Sequence, residues 1–183
     1  MEIRKATLQD AEGIAKVHVK SWQETYKGLV SQEYLDSLKA EDRQPLWEKS
    51  LIQTSDTSPV FVAVTPGGEI VGFASFGKER MGKLNADGEL YAIYILKKYQ
   101  RDRIGTKLLH TGLEELLRQK DESMLVWVLK DNESRKFYES LQPVKAGEEV
   151  VEIAGQEYTE VAYVWKDLNL LNQSLIEKQS GDR

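Results

Sequence analysis

The chain contains no cysteine. That excludes disulfides, thiolate-ligated zinc and any thiol nucleophile. Histidine is nearly as scarce. His18 and His110 are the two present; they lie far apart and neither has a second histidine at helical spacing. A metal centre or a histidine-driven triad is therefore not expected, and each histidine reads as a packing or surface residue. No apolar run approaches the ~20 residues needed to span a bilayer, so no membrane association is expected. The first twenty residues carry Asp10 and Glu12 and open on an alternating pattern, which is unlike a secretory leader and predicts a cytoplasmic protein. Positive charge is also in deficit: 25 Lys and Arg against 30 Asp and Glu leave a net −5, which argues against a general nucleic-acid binder.

Against that acidic background, Glu89–Thr106 stands out. Leu90–Leu96 is apolar, aromatic or β-branched, as a strand covered on both faces would be. Ile104, Leu108, Leu109, Leu113, Leu116 and Leu117 then form one stripe of a helix ending near Arg118. Between the two lie Lys97, Lys98, Arg101 and Arg103, four cations in seven residues. A helix N-terminus offers unpaired N–H groups and partial positive charge, and Gly105 lets a ligand approach the backbone. The turn reads as a phosphate cradle or as a solvated basic turn.

The remaining pattern predicts β1 near Glu2–Ala6 and a helix from about Leu8 to Tyr26, capped by Thr7 and Asp10 and ended by Gly28. Short helices are predicted over Ser31–Leu38 and Asp42–Gln53, the latter with Leu46, Trp47 and Leu51 inward, followed by a loop over Ser55–Pro59. Pro59–Thr65 and Ile70–Gly77 read as strands, with Gly72 marking a bulge or close approach. Met124–Leu129 should lie parallel to the Leu90–Leu96 strand, because a helix crosses between them. A helix over Asn132–Ser140 and a hairpin, Val144–Ile153 with Glu157–Trp165, complete one domain over residues 1–167. The expected class is α/β (α+β), a mixed sheet flanked by helices. Leu168, Leu171 and Leu175 mark an amphipathic tail, 168–183, that packs on the domain or joins two copies as a homodimer.

Two segments carry a family resemblance. Tyr99-Gln100-Arg101-Asp102-Arg103-Ile104-Gly105-Thr106 resembles the coenzyme A pyrophosphate loop of the GNAT N-acetyltransferase superfamily, Gln/Arg-x-x-Gly-x-Gly/Ala, with Arg103 in place of the first glycine. Asn132-Glu133-Ser134-Arg135-Lys136-Phe137-Tyr138 resembles its second motif, Asn-x-x-(Ala/Ser/Arg)-x-x-Phe-Tyr after a strand, with one residue fewer between Arg135 and Phe137; the usual continuation is replaced at Gln142-Pro143. Arg103 fits the loop if its φ is negative; a positive φ there implies strain or remodelling. The resemblance covers about Glu89–Leu141, and the element order matches beyond it.

The resemblance implies a mostly antiparallel sheet with a splayed central parallel pair. It implies acetyl-CoA as co-substrate, no metal, and direct transfer of acetyl to a primary amine of a small molecule or peptide through a ternary complex. Phosphates would rest on Arg101, Asp102, Arg103, Ile104, Gly105 and Thr106, and the pantetheine arm on the main chain of Ile93, Tyr94 and Ile95. Asn132 is at least a helix cap and, by resemblance, touches coenzyme A. Tyr138 is a buried aromatic or the acid that protonates the departing thiolate. Glu89 falls where the histone-acetylating branch carries its base; a water is the alternative, and the two-residue period puts it on the face of Tyr91, Ile93 and Ile95. Trp22, Tyr26 and Glu24, with Tyr34, are the acceptor-binding candidates. A non-catalytic acyl-CoA sensor or interaction module is the alternative function; it would need neither Tyr138 nor Glu89.

Overall fold

The computed structural model describes residues 1–53 and 57–180. Seven strands form one sheet: β1 (Glu2–Lys5), β2 (Val60–Val64), β3 (Ile70–Lys78), β4 (Gly88–Ile95), β5 (Met124–Leu129), β6 (Val144–Ile153) and β7 (Gln156–Trp165). Their order is β1-β2-β3-β4-β5-β7-β6. Every neighbouring pair is antiparallel except β4 and β5, the two strands that the long helix α4 (Ile104–Arg118) connects. This is the mixed sheet with a parallel central pair that the pattern predicted. The remaining helices are α1 (Ala11–Thr25), α2 (Gln32–Ser37), α3 (Ala40–Gln53), α5 (Arg135–Glu139) and α6 (Leu168–Ser180).

The helices cover both faces. On one, Leu108, Leu109, Leu113 and Leu116 of α4 pack with Phe76, Leu90, Met124 and Val126 of the sheet. Leu168, Leu171 and Leu175 of α6 are buried in the same core, so the tail's apolar stripe is spent within the chain. On the other face, Ile14 and Val17 of α1 pack on Val60, Val62 and Phe73. A third cluster joins Tyr26, Val30 and Leu35 to Leu129 and the far hairpin.

Local chemistry sets the ends. Asp10 Oδ2 accepts the Thr7 N–H at 2.7 Å and its carboxylate is forked by Arg4 at 2.7 and 2.8 Å, which ties β1 to the start of α1. Ser31 Oγ accepts the Tyr34 N–H at 3.4 Å as the cap of α2. Gly72 sits at the expected irregularity: the β2–β3 register shifts beside it, and a Cβ there would lie 3.1 Å from the Tyr94 carbonyl oxygen.

Several expectations are corrected. Leu46 is 57% exposed, and α3 buries none of its residues fully; it lies against α1, with Trp47 and Leu51 packed on the apolar residues of β2 and β3. The helix expected over Asn132–Ser140 is confined to Arg135–Glu139, because Asn132–Ser134 forms a turn. Ser55 and Asp56 of the expected loop lie outside the described residues. The strand expected to be covered on both faces is buried at Gly88–Leu90 but only half-buried from Tyr91 to Ile95.

The largest correction concerns parity. A bulge shifts the β3–β4 register between Ser75 and Phe76, which pair with Ala92 and Leu90 and leave Tyr91 as the extra residue. Leu90 and Ile93 therefore share the α4 face, while Ala92 and Tyr94 face α1. Glu89, one residue before Leu90, shares the α1 face with Tyr94. It does not lie with Ile93 and Ile95, because one extra residue reverses every later side chain.

His18 is a packing residue. It stacks on Tyr94 at 5.5 Å, lies edge-on to Trp47, and its Nδ1 accepts the Trp47 indole N–H at 3.2 Å. Burial, assisted by nearby Arg43, lowers its pKa to about 4. The folded value lies below the unfolded one, so the unfolded chain takes up this proton first as pH falls. The contribution is present in full above about pH 6.5 and is lost on the way to pH 4, roughly 3 kcal/mol in all. Urea midpoints measured across that window should fall more steeply for the wild type than for His18→Gln, which keeps an acceptor for Trp47 without titrating.

Candidate active site

β4 and β5 pair only at Gly88–Met124, Glu89–Leu125 and Leu90–Val126. Beyond that both strands continue without pairing, which opens a gap in the middle of the sheet. The Leu96 N–H donates to the Val71 carbonyl at 3.0 Å. By the alternation of an antiparallel ladder, Tyr94 also turns its main chain to β3, and Ile93 and Ile95 turn theirs into the gap. Of the three residues expected to present main-chain groups, Tyr94 is thus placed otherwise. The Ile95 carbonyl accepts the Gln100 side-chain N–H at 3.0 Å.

The basic turn stands at the end of this gap. Arg101 and Arg103 both have positive φ, 71° and 59°, so the negative φ that would make Arg103 a simple substitute for glycine is not found. Each left-handed non-glycine residue costs about 1 kcal/mol or more. Asp102 between them is exposed. Arg103 is the N-cap of α4, and the Lys107 N–H donates to its carbonyl at 3.0 Å. Ile104, Gly105 and Thr106 precede that first helical bond, so their N–H groups have no intrahelical acceptor. A Cβ on Gly105 would lie 3.3 Å from Ile95 Cδ1: the helix start is seated on the end of β4. Of the four cations, Lys98 is turned away to Glu69 at 3.3 Å and the Tyr99 ring.

Asn132 is buried, and its Oδ1 accepts the Ser134 N–H at 2.8 Å, fixing the turn into α5. That helix delivers Tyr138 into the core beside the gap. The Tyr138 ring contacts Phe137 at 5.4 Å and Trp165 at 6.4 Å. Burial, reinforced by neighbouring Tyr94, raises its pKa far above the ordinary phenol value. Tyr138 is therefore a neutral hydroxyl at every physiological pH.

On the α1 side of the gap, Trp22 donates from Nε1 to the Tyr94 hydroxyl at 3.0 Å. Trp22 and Tyr26 are in ring contact at 4.6 Å, and Tyr34 lies edge-on to Trp22. The Tyr26 and Tyr94 hydroxyls are hydrogen-bonded, and both pKa values are raised by burial first of all. Tyr26 also feels Tyr138, so the aromatic candidates and the hydroxyl of the second motif form one cluster. Glu24 does not join it. Its carboxylate accepts the Lys97 N–H at 2.9 Å and lies 3.8 Å from Lys20, because it projects from α1 toward the end of β4.

Glu89 is not a solvated strand-edge carboxylate. It is 1% exposed and both its oxygens are engaged by Arg80: Oε1 by the guanidinium, at 3.1 Å from Nε and 2.5 Å from Nη2, and Oε2 by the main-chain N–H at 3.1 Å. The Arg80 guanidinium lies over the Tyr91 ring at 4.3 Å.

Two residues on this face went unnoticed in the sequence. Trp127, one residue past the last β4–β5 pair, has a buried indole N–H with no partner among the described residues. Glu160 on β7 is half-buried, and its pKa is raised: by burial first, then by Glu149 and Glu89, against an opposing effect of Arg80. The hint for Glu160 was an acidic residue one step out of phase with Val161, Tyr163 and Trp165, which is also what any solvated strand position looks like. Arg80 had no signal at all, lying in a polar loop. Among the described residues no group of three or more metal-ligating side chains occurs.

Comparison with known proteins gives the family and the fold. The family model described as Acetyltransferase (GNAT) family matches residues 19–142. The N-acetyltransferase YuaI of Bacillus subtilis (strain 168) is 41% identical over 94% of this chain and 97% of its own length. The spermidine N(1)-acetyltransferase of Thermoplasma acidophilum is 28% identical over 66% of this chain and 72% of its own. The fold is also that of the Thermoplasma acidophilum PaiA N-acetyltransferase, solved in complex with coenzyme A. Its TM-score is 0.63 at 22% identity, covering 87% of this chain and 96% of that one. With a family match over most of its length and a relative of this closeness along nearly all of it, the chain belongs to the GNAT acetyltransferase family and is an N-acetyltransferase.

Proposed function

We propose that this enzyme binds acetyl-CoA across the β4–β5 gap and passes the acetyl group directly to a primary amine of a small, cationic, aliphatic molecule. The observation that carries the reading is a coincidence of three features at one break in the sheet. They are the main-chain edge of Ile93 and Ile95, which no strand pairs, the free N–H groups at the start of α4, and the buried Tyr138 hydroxyl.

The residues present fit coenzyme A. A diphosphate takes N–H donors from Ile104, Gly105 and Thr106 and charge from Arg101 and Arg103, as helix N-termini commonly bind anions. Asp102 spaces the two arginines. A pantetheine amide pairs with the strand edge, whose N–H groups also polarise the thioester carbonyl. Asn132 holds the turn that aims α5 at this edge. Tyr138 donates a proton to the departing sulfur; because burial keeps it neutral, the proton is always in place. The chain has no cysteine, so no acetyl-cysteine intermediate is available to it.

The acceptor enters on the α1 side, between Trp22, Tyr26 and Tyr94 and the carboxylates of β4 and β7. Aromatic faces and net negative charge suit an ammonium group. They disfavour an amine that carries its own carboxylate, such as an α-amino acid. The 28% identical relative is named for spermidine, which belongs to the favoured class. Glu24 is committed to Lys97 and supports the wall rather than the ligand. We place the enzyme in the cytoplasm; among the described residues no helix is long and apolar enough to cross a membrane. No residue of a second copy is called for.

Release of free thiol from acetyl-CoA, followed over a panel of spermidine, putrescine, simple monoamines and α-amino acids, should be amine-dependent and strongest for the polyamines. Saturable binding of coenzyme A with no amine-dependent release would instead support the acyl-CoA sensor. Tyr138→Phe should lower turnover by roughly 10²–10⁴-fold while leaving acetyl-CoA affinity nearly unchanged; equal turnover would remove Tyr138 from the chemistry.

Arg103→Gly should raise stability by about 0.5–1 kcal/mol, the left-handed strain relieved less the entropy of the added glycine. Its acetyl-CoA affinity, measured by calorimetry, should fall severalfold if the guanidinium meets a phosphate; unchanged affinity would assign binding to the main chain alone.

A further inference from the structure

The β4–β7 region of the α1 face carries two carboxylates near the gap, and they are in different states. Both oxygens of Glu89 are engaged by Arg80. The Glu160 carboxylate accepts no hydrogen bond and makes no ion pair among the described residues, its main chain alone being paired, to β5 and β6.

The strand register fixes where Glu160 points. It pairs with Leu129 of β5 and Glu149 of β6. Its neighbour Val161 is buried on the α4 face, so Glu160 projects to the α1 face. Trp127 pairs with Ala162, which makes Trp127 and Glu160 diagonal neighbours on that face. Such neighbours have Cα atoms about 7–8 Å apart. An unpartnered buried donor and an unpaired carboxylate thus stand side by side where β4 and β5 have just separated. The charged and titratable groups acting on Glu160 are Arg80, Glu89 and Glu149, with Tyr26 and Tyr94 from α1 and β4. Glu149 is itself neutralised by Lys83 at 2.7 Å.

We infer that Glu160 is the carboxylate that receives the acceptor's ammonium group and takes its proton, with Glu89 held by Arg80 as a fixed counter-charge behind it. This rests on the acetyl-transfer reading above and deepens it.

The proton balance closes within the cluster. The acceptor arrives as an alkylammonium ion; one N–H bond breaks and its proton joins a Glu160 oxygen. The freed nitrogen lone pair forms the C–N bond to the thioester carbonyl carbon, and the C=O π pair moves to oxygen. That pair then returns, the C–S bond breaks, and sulfur leaves with the bonding electrons and takes the Tyr138 proton. The second nitrogen proton restores the Tyr138 hydroxyl, through water where the two are not in contact. Glu160 finally loses its proton to solvent, which accounts for the one proton released per turnover. The half-buried setting that strengthens Glu160 as a base brings it nearer in basicity to an amine.

The test is the pH dependence of kcat/KM for spermidine in the wild type, Glu160→Gln and Glu160→Asp. Coenzyme A-induced thermal stabilisation serves as the check that each variant is folded. Glu160→Gln should keep that stabilisation, lose roughly 10²–10⁴-fold in kcat/KM near neutrality, and lose the wild-type acidic limb, its rate instead rising steadily with pH. Glu160→Asp should recover part of the loss with the limb displaced. Wild-type turnover with a Glu160→Gln profile superimposable on it would overturn the assignment while leaving acetyl transfer intact. Absence of amine-dependent turnover in the wild type would overturn the acetyl-transfer reading itself. If Glu160→Gln does not fold, a Glu160→Asp profile identical to the wild type overturns the assignment in the same way.

Discussion

The parallel contact between β4 and β5 lasts for three residue pairs, and the site depends on its stopping there. A parallel pair continued to Ile95 would close the main-chain groups of Ile93 and Ile95 in a ladder and leave nothing to bind. The break has structural supports. β4 is held along its length by β3, with the Tyr91 bulge adding twist at the point of departure. β5 is held by β7 through Leu129. Each strand is therefore committed to a different antiparallel neighbour, and the start of α4 is seated against the end of β4. Unpaired backbone in a sheet interior is costly unless something satisfies it, which is why such a gap signals a ligand that brings amides of its own.

Where the sequence was legible, a single physical signal decided the matter. The α4 stripe runs over 104–118, a period of 3.6 with no competing reading, and the helix is found with those bounds. The parallel sense of β5 followed from the crossover it needs. What could not be read depended on one-residue changes. The extra residue at Tyr91 leaves no mark in an apolar run, yet it moves Glu89 to the opposite face and so into the company of Tyr94 and Glu160. The left-handed backbone at Arg101 and Arg103 was equally hidden, since arginine gives no sign of positive φ. Arg80 and Glu160 are separated by eighty residues and meet only because β7 lies beside β5, out of chain order. Pairings of that kind are properties of topology and not of any local pattern.

The aromatic cluster links stability to the site. His18, Trp22, Trp47 and Phe73 brace the Tyr94 ring from the α1 side, and Tyr94 in turn orders Tyr26 and raises Tyr138. A neutral His18 is part of that brace. The same desolvation that lowers the imidazole's pKa raises those of the three phenols, so one dry region holds all four rings neutral.

Charge is divided along the same gap. The mildly acidic chain gathers Arg101 and Arg103 at the start of α4, where the helix dipole adds to them, and gathers Glu89, Glu160 and Glu149 on the α1 face around Arg80, with Lys83 on Glu149. On the proposed reading, a polyanionic co-substrate and a cationic acceptor would be drawn to opposite ends of one cleft, each repelled from the other's position. The division also orders the chemistry. On that reading the acceptor would shed its proton where negative charge is concentrated, and the thiolate would gain one beside a buried phenol. The Glu89–Arg80 pair places a carboxylate within the sheet without leaving a bare buried charge, while the half-buried Glu160 carboxylate beside the gap has no partner among the described residues, which is what the proposal for an incoming cation rests on.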